Sequence, residues 1–191
     1  MFRQILSKLI LVMFVFFVSQ SAIFSAGKDA PKTKPALVEE LILGFDKIEG
    51  IVEKTDEPSP TDFETVKFDK ATEGKTALKI DFQSGDYPGI RINMAALKKT
   101  DVSSYKSIYF DVINDGPALE CFATFLEDKK GDRVTVVDDF AIKKGVITIK
   151  INLLRAKRKV DLKNLKVIAP FVPLNGGNPV TLYIDNLRLV K

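Results

Sequence analysis

The 191-residue chain contains no histidine. That removes Ser-His-Asp and Cys-His catalysis, imidazole acid–base steps and histidine metal sites. Tryptophan is absent as well, which leaves tyrosine as the flat aromatic for a sugar-stacking surface, the 14 phenylalanines reading mostly as core. A single cysteine, Cys121, excludes an internal disulfide, and its place in the segment Leu119–Phe125 marks it as a small buried hydrophobe. The fold therefore rests on its core alone. With 46% hydrophobic and 28% charged residues the composition is that of one globular domain.

No apolar run reaches the ~20 residues that a membrane span needs. The longest is the stretch of ten from Leu9 to Val18, preceded by Arg3 and Lys8 and followed by small and polar residues from Ser19 to Ala26. This is the grammar of a secretory signal, so residues 1–26 are set apart from the fold. Cleavage after Ser21 or Ser25 is compatible with the small-residue rule, and a segment that escaped cleavage would remain as an anchor. No cysteine follows the run closely, which excludes a lipid anchor there. Residues 27–38 hold three lysines and two prolines without apolar periodicity and read as a tether, with the domain proper over 39–191. Without Arg3 and Lys8 the excess of basic over acidic residues falls to two, too little to imply a nucleic-acid or membrane partner.

What is present is strand grammar. Leu78, Ile80 and Phe82 alternate with Lys79 and Asp81. Ile108, Phe110 and Val112 alternate with Tyr109 and Asp111. Ile147, Ile149, Ile151 and Leu153 alternate with Thr148, Lys150 and Asn152. Each such strand buries one side and wets the other. Further runs lie at 41–46, 63–68, 89–94, 119–126, 133–137, 165–172 and 180–190. They are separated by turn compositions such as Pro58-Ser59-Pro60, Gly85-Asp86-Tyr87-Pro88-Gly89, Asn114-Asp115-Gly116-Pro117 and Asn175-Gly176-Gly177. About ten short strands, with helical turns only at 94–99 and 153–159, predict an all-β, two-sheet antiparallel jelly-roll sandwich.

Three motifs invite chemistry. Glu73-Gly74-Lys75-Thr76 ends like a phosphate-binding loop, but Asp69 stands where the first glycine is required, so it is not one. The acidic pairs Glu39-Glu40, Glu127-Asp128 and Asp138-Asp139 point to opposite strand faces and read as surface rather than as a glycosidase's carboxylates. Arg155, Lys157, Arg158 and Lys159 form a basic run without interleaved aromatics, a solvated loop or a contact for an anionic polymer. No enzyme is expected.

Four segments carry a resemblance. They are Leu43-Gly44-Phe45-Asp46, the stretch Glu73–Ile80 with its Glu-Gly-Lys-Thr-Ala-Leu-Lys-Ile sequence, the stretch Asp101–Val112, and Leu182-Tyr183-Ile184-Asp185-Asn186-Leu187-Arg188-Leu189. In order and in wording this resembles the galactose-binding-like sandwiches that carbohydrate-binding modules use. The resemblance implies a structural calcium ion held by Asp46 and Asp185, with carbonyls near Glu73 and Gly74. Read alone, Asp46 is a turn residue and Asp185 a strand-bulge residue or the partner of Arg188. The resemblance also implies a sugar site, for which this sequence offers Tyr87, Arg91, Tyr109 and Asp111, while Tyr105 matches a packed aromatic and Tyr183 alternates outward.

The expectation is an exported, non-catalytic domain, periplasmic or extracellular, that binds a polysaccharide or cell-surface glycan through one face of the sandwich. The alternative is a structural or assembly protein of the cell envelope using the same sandwich for protein contacts. Membrane attachment follows only if residues 1–26 are retained.

Overall fold

In the computed structural model the described residues are 37–55, 61–138, 141–173 and 178–191. The segment 1–26, most of the tether, and the turns at Pro58-Ser59-Pro60 and Asn175-Gly176-Gly177 lie outside them, as does Asp139. Residues 37–191 form one compact unit of their own.

The longest strand organises the rest. Numbering in chain order, the strands are β1 Glu39–Leu43, β2 Val52–Lys54, β3 Thr61–Lys67, β4 Thr76–Phe82, β5 Ile90–Asn93 and β6 Ser107–Asn114. They continue as β7 Phe122–Asp128, β8 Arg133–Asp138, β9 Gly145–Asn152, β10 Leu165–Phe171 and β11 Val180–Val190, with one helical turn, α1, at Leu153–Ala156. The first half of β11 pairs with β4 and its second half with β1, so β1 and β4 lie end to end along one side of it. Its other side is taken by β6. The hand-over falls at Asp185 and Asn186, where the register with β6 jumps and Asn186 adopts φ 55°. This is a bulge, and it inserts Asn186 between Asp185 and Leu187 so that Ile184 and Leu187 both reach the core.

One sheet runs β3-β4-β11-β6-β9 with β1 beside β11, and the second runs β2-β5-β10-β7-β8. All named pairings are antiparallel. The two sheets enclose a common core because each presents the apolar half of its alternation inward. Leu78, Ile80 and Phe82 of β4 and Ile108, Phe110 and Val112 of β6 meet Ile90 and Ile92 of β5, Phe122 and Leu126 of β7 and Ile168 of β10. Phe110 and Phe122 touch across the gap at 6.4 Å between ring centroids. Each such buried aliphatic or aromatic side chain contributes about 1.5–3 kcal/mol over its exposed state.

The sandwich expected from the sequence is therefore present, and the alternating faces are those read from the sequence. The ladder adds β2, with only Val52 apolar, and the 94–99 segment forms turns rather than helix. Tyr105 is buried as expected and donates its hydroxyl to Glu40. Tyr183 alternates outward between the buried Leu182 and Ile184, and its ring stacks on Phe68, centroids 4.0 Å apart and 10° from parallel. Two expectations need correction. Cys121 is only half-buried, because β7 begins one residue later. Glu127 and Asp128 are both buried rather than on the surface. Asp128 accepts N–H bonds from Lys130, Asp132 and Asp161, which pin the turn after β7 to the segment before β10.

Candidate functional site

The outer side of the five-stranded sheet carries a row of three aromatics, Tyr87, Phe171 and Phe125. In β7, Phe122 and Leu126 belong to the core, so Phe125 and Glu127 face the other way. Ile168 of β10 and Val172 just after it point inward, which leaves Ala169 and Phe171 on the outer side, where Ala169 lies opposite Phe125. Tyr87 joins this row from the loop before β5. Its ring meets Phe171 at 6.0 Å and 58°, and Phe171 meets Phe125 at 6.0 Å and 53°, both within the range of favourable tilted contacts. The Arg133 guanidinium lies 5.1 Å from the Phe125 ring centre.

Tyr87 is held there by the backbone on either side of it. Pro88 O accepts the Val172 N–H at 2.9 Å, and Gly89 forms an isolated bridge with Phe171. A Cβ at Gly89 would lie 2.6 Å from Phe171 Cβ and 2.8 Å from Pro170 O, so only glycine permits this approach. Tyr87 itself has φ 61°, a conformation that costs a non-glycine residue roughly 1–2 kcal/mol, and the residue is 54% exposed. Strain, exposure and anchoring together present a ring at the rim of the sheet.

Beside the aromatic row stands Glu127, whose side chain is 3% exposed. Its Oε1 receives Arg91 Nη2 at 3.1 Å and Lys166 Nζ at 3.2 Å, and its Oε2 receives Arg133 Nε at 2.5 Å. Burial alone would push the Glu127 carboxyl up, but the bonds from Arg133 and Lys166 and the charge of Arg91 outweigh it and hold it below the usual carboxylate range. Glu127 is thus a fixed anion that positions donors, unsuited to giving up a proton. Arg133 and Lys166 keep more than half of their side-chain surface in solvent. The face therefore offers flat apolar rings flanked by cationic donors, a combination suited to a ligand with apolar faces and hydroxyl edges.

The other two sequence candidates lie on the opposite surface of the sandwich. Tyr109 and Asp111 belong to β6 of the six-stranded sheet, so no single contact face joins them to Tyr87 and Arg91. The expectation of one face containing all four is corrected on this point: alternation tells which residues face outward but not from which sheet. Asp111 is buried and saturated. It accepts from Thr148 at 2.7 Å, Thr72 at 2.8 Å, Asn186 at 3.0 Å and Arg188 at 3.3 Å. Burial raises its carboxyl, and the Thr148 and Thr72 hydroxyls with the Arg188 charge more than reverse that. Tyr109 lies between Lys150 and Arg188, whose charges are 5.3 and 5.7 Å from its ring centre.

Asp185 sits directly opposite Asp111 in the ladder. Its Oδ2 receives the backbone N–H groups of Thr72 and Glu73 at 2.7 and 2.8 Å, and its Oδ1 receives that of Asn186 at 2.7 Å. Arg188, its alternative partner, pairs instead with Asp111 and Glu39. Burial pushes the Asp185 carboxyl up despite these donors. Asp46 is exposed and accepts the Thr76 hydroxyl. In this arrangement both residues that the resemblance assigns to calcium serve as hydrogen-bond acceptors, Asp185 for three backbone N–H groups and Asp46 for the Thr76 hydroxyl.

Known structures share this architecture. The family 11 carbohydrate-binding module from Clostridium thermocellum, solved with a β-1,3-1,4-mixed-linked tetrasaccharide, superposes with a TM-score of 0.61 at 15% identity over 79% of this chain and 94% of its own. The chain has a carbohydrate-binding-module fold. A family 30 module of a cellulosomal cellulase from the same organism aligns with a TM-score of 0.57 at 15% identity, over 80% of this chain and 96% of that module. An exo-β-agarase matches with a TM-score of 0.59 at 17% identity over 78% of this chain, although only 24% of the agarase is covered. No family model and no curated protein matches the sequence.

Of the sequence candidates, Tyr87 and Arg91 come together on one face. Phe125, Phe171, Arg133 and Lys166, which were not singled out by sequence, complete it together with Glu127, which sequence read as a surface acid. A trace of them is present: 165–172 and 119–126 contain apolar residues at both odd and even positions, the mark of a strand with two apolar sides.

Proposed function

We propose that this chain is an exported, non-catalytic glycan-binding domain whose contact surface is the outer side of the five-stranded sheet. The observation that carries this reading is the row Tyr87, Phe171 and Phe125 on the side of the sheet away from the core, beside the cationic donors Arg133 and Lys166. Tyr87 and Phe125 supply apolar area for the faces of pyranose units, Phe171 being buried and in contact with both rings, and the donors supply hydrogen bonds to the hydroxyl edges. Support for the ligand class comes from the module fold and from the family 11 module's mixed-linked tetrasaccharide. Export is supported by the Arg3, Lys8 and Leu9–Val18 pattern.

A non-catalytic role agrees with the lack of histidine and with the fixed charge state of Glu127. The test is calorimetric titration of residues 37–191, which hold the whole core, with mixed-linked β-1,3-1,4-glucan oligosaccharides and then with a wider polysaccharide set. Saturable binding lost on Tyr87→Ala supports the reading. A folded domain that binds no member of the set would reject it and leave envelope assembly through protein contacts as the better account.

A further inference from the structure

Residues 37–191 are charge-balanced, because the five basic residues and one acid of 1–36 account for the whole excess of the chain. That balance conceals a polarised surface. At one end of the sandwich, α1 and the loop after it carry Arg155, Lys157, Arg158, Lys159 and Lys163 against the single acid Asp161.

The local fold turns these charges outward. Leu153 and Ala156 of α1 and Val160 after it are buried, and Asn152 caps the turn by accepting the Arg155 N–H. Leu154, Arg155, Lys157, Arg158 and Lys159 are left exposed. Among the described residues no carboxylate lies within ion-pair distance of these four basic side chains. Neighbouring segments meet the same end: Leu153 N–H bonds Lys106 O, Lys106 N–H bonds Val190 O, and Lys191 N–H bonds Val38 O, while the acids after Val38 are already paired, Glu39 with Arg188 and Glu40 with Lys99.

Two further observations bear on what meets this end. Exposed apolar side chains stand among the charges, namely Leu154 at 52%, Leu37 at 59% and Val38 at 61% exposure. The domain's chain also begins here, since Val38 is bonded to the last residue of the domain and Leu37 continues into the lysine-bearing tether. The apolar stretch Leu9–Val18 lies only eighteen residues upstream of Leu37, a separation that extended chain spans with at most about 65 Å.

Unpaired cations mixed with exposed leucines, at the end of the domain where its chain begins, form the pattern of a surface that lies on anionic lipid. We infer that this end of the sandwich docks on a bilayer surface bearing anionic phospholipid headgroups. The contact is independent of the glycan face, which is on the outer side of one sheet, and it orients that face along the membrane rather than toward it.

Vesicle co-sedimentation of residues 37–191 tests this without the apolar segment. The vesicles are phosphatidylcholine alone or with about 30 mol% phosphatidylglycerol, at about 50 and about 500 mM salt. The domain should bind the phosphatidylglycerol vesicles at low salt, release them at high salt and ignore phosphatidylcholine. The combined change Arg155→Glu, Lys157→Glu, Arg158→Glu and Lys159→Glu should lower binding at least tenfold, and Tyr87→Ala should leave it unchanged. Melting curves control for folding; if the quadruple variant unfolds, the lipid and salt contrasts of the unaltered domain still decide. Absence of binding to anionic vesicles at low salt would overturn the inference, as would undiminished binding by a folded quadruple variant. Capture by heparin with no vesicle binding would also overturn it and point to an anionic polymer.

Discussion

Tyr87 rests its ring against Phe171 at 6.0 Å, and the backbone beside them is drawn so close that Gly89 has no room for a side chain. Loop and strand are therefore one unit: whatever displaces β10 from Gly89 also displaces the exposed ring. Gly89→Ala places its new carbon against both Phe171 Cβ and Pro170 O, and backbone cannot yield as a flexible side chain can. The expected cost is about 1–3 kcal/mol, as for other overpacking changes. Chemical denaturation measures it, and glycan affinity should fall with it. A variant as stable as the parent would show that the Gly89–Phe171 approach is looser than described.

The Asp185 carboxylate is held by three backbone N–H groups. Asp185→Asn sets an amide NH2 against at least one of those donors, and the expected loss is about 1–3 kcal/mol for a buried polar group left unmatched. Because the oxygens serve hydrogen bonds, calcium and chelator should leave the melting temperature of the parent domain unchanged. A rise in melting temperature with calcium, abolished in Asp185→Asn, would restore the ion to the site.

Glu127 and Asp111 have carboxyls held below their ordinary range, so each binds its proton more weakly folded than unfolded. Their contribution is present above the ordinary carboxylate value near ~4 and is lost as pH falls through their lower folded values. Asp185 is raised and works in the opposite direction: its contribution is complete below the ordinary value and lost as pH rises through the folded one. Glu127→Gln should therefore cost about 2 kcal/mol near neutrality, where it leaves Arg91, Arg133 and Lys166 around a neutral amide. The gap to the parent should close as pH falls below ~4. Thermal melts across pH measure this, and a gap independent of pH would exclude the charge of Glu127 as its source.

Thr124 points into the core between Phe122 and Leu126, and its hydroxyl is buried without a hydrogen-bond partner among the described residues. Thr124→Val keeps the branched shape and removes that unmatched group, so the domain should gain about 1 kcal/mol. Denaturant titration reads the change directly. A loss of stability would mean that the hydroxyl has a partner after all.

The sandwich was legible because most of its strands are amphipathic. In β4, β6 and β9 a polar side wets while an apolar side packs, and period-two alternation declares both. β2 escaped because Val52 is its only apolar residue. The site was half legible. Tyr87 announced itself by a glycine-flanked loop, but Phe125 and Phe171 lie in strands apolar on both sides, where alternation does not distinguish core from outer face. Glu127 could not be placed at all by neighbouring residues, since its three cations come from β5, β8 and β10. Tyr109 and Asp111 were rightly read as turned from the core, and only the strand order puts them on the other sheet.

The most direct test of the proposed binding face compares Tyr87→Ala with Tyr109→Ala by calorimetric titration against whichever glycan the domain binds. Loss of ring contact costs about 1.5–3 kcal/mol, or roughly ten- to a hundredfold in affinity. The outer side of the five-stranded sheet as the binding face predicts that loss for Tyr87→Ala and unchanged affinity for Tyr109→Ala. Equal losses in both, or a loss confined to Tyr109→Ala, would contradict it.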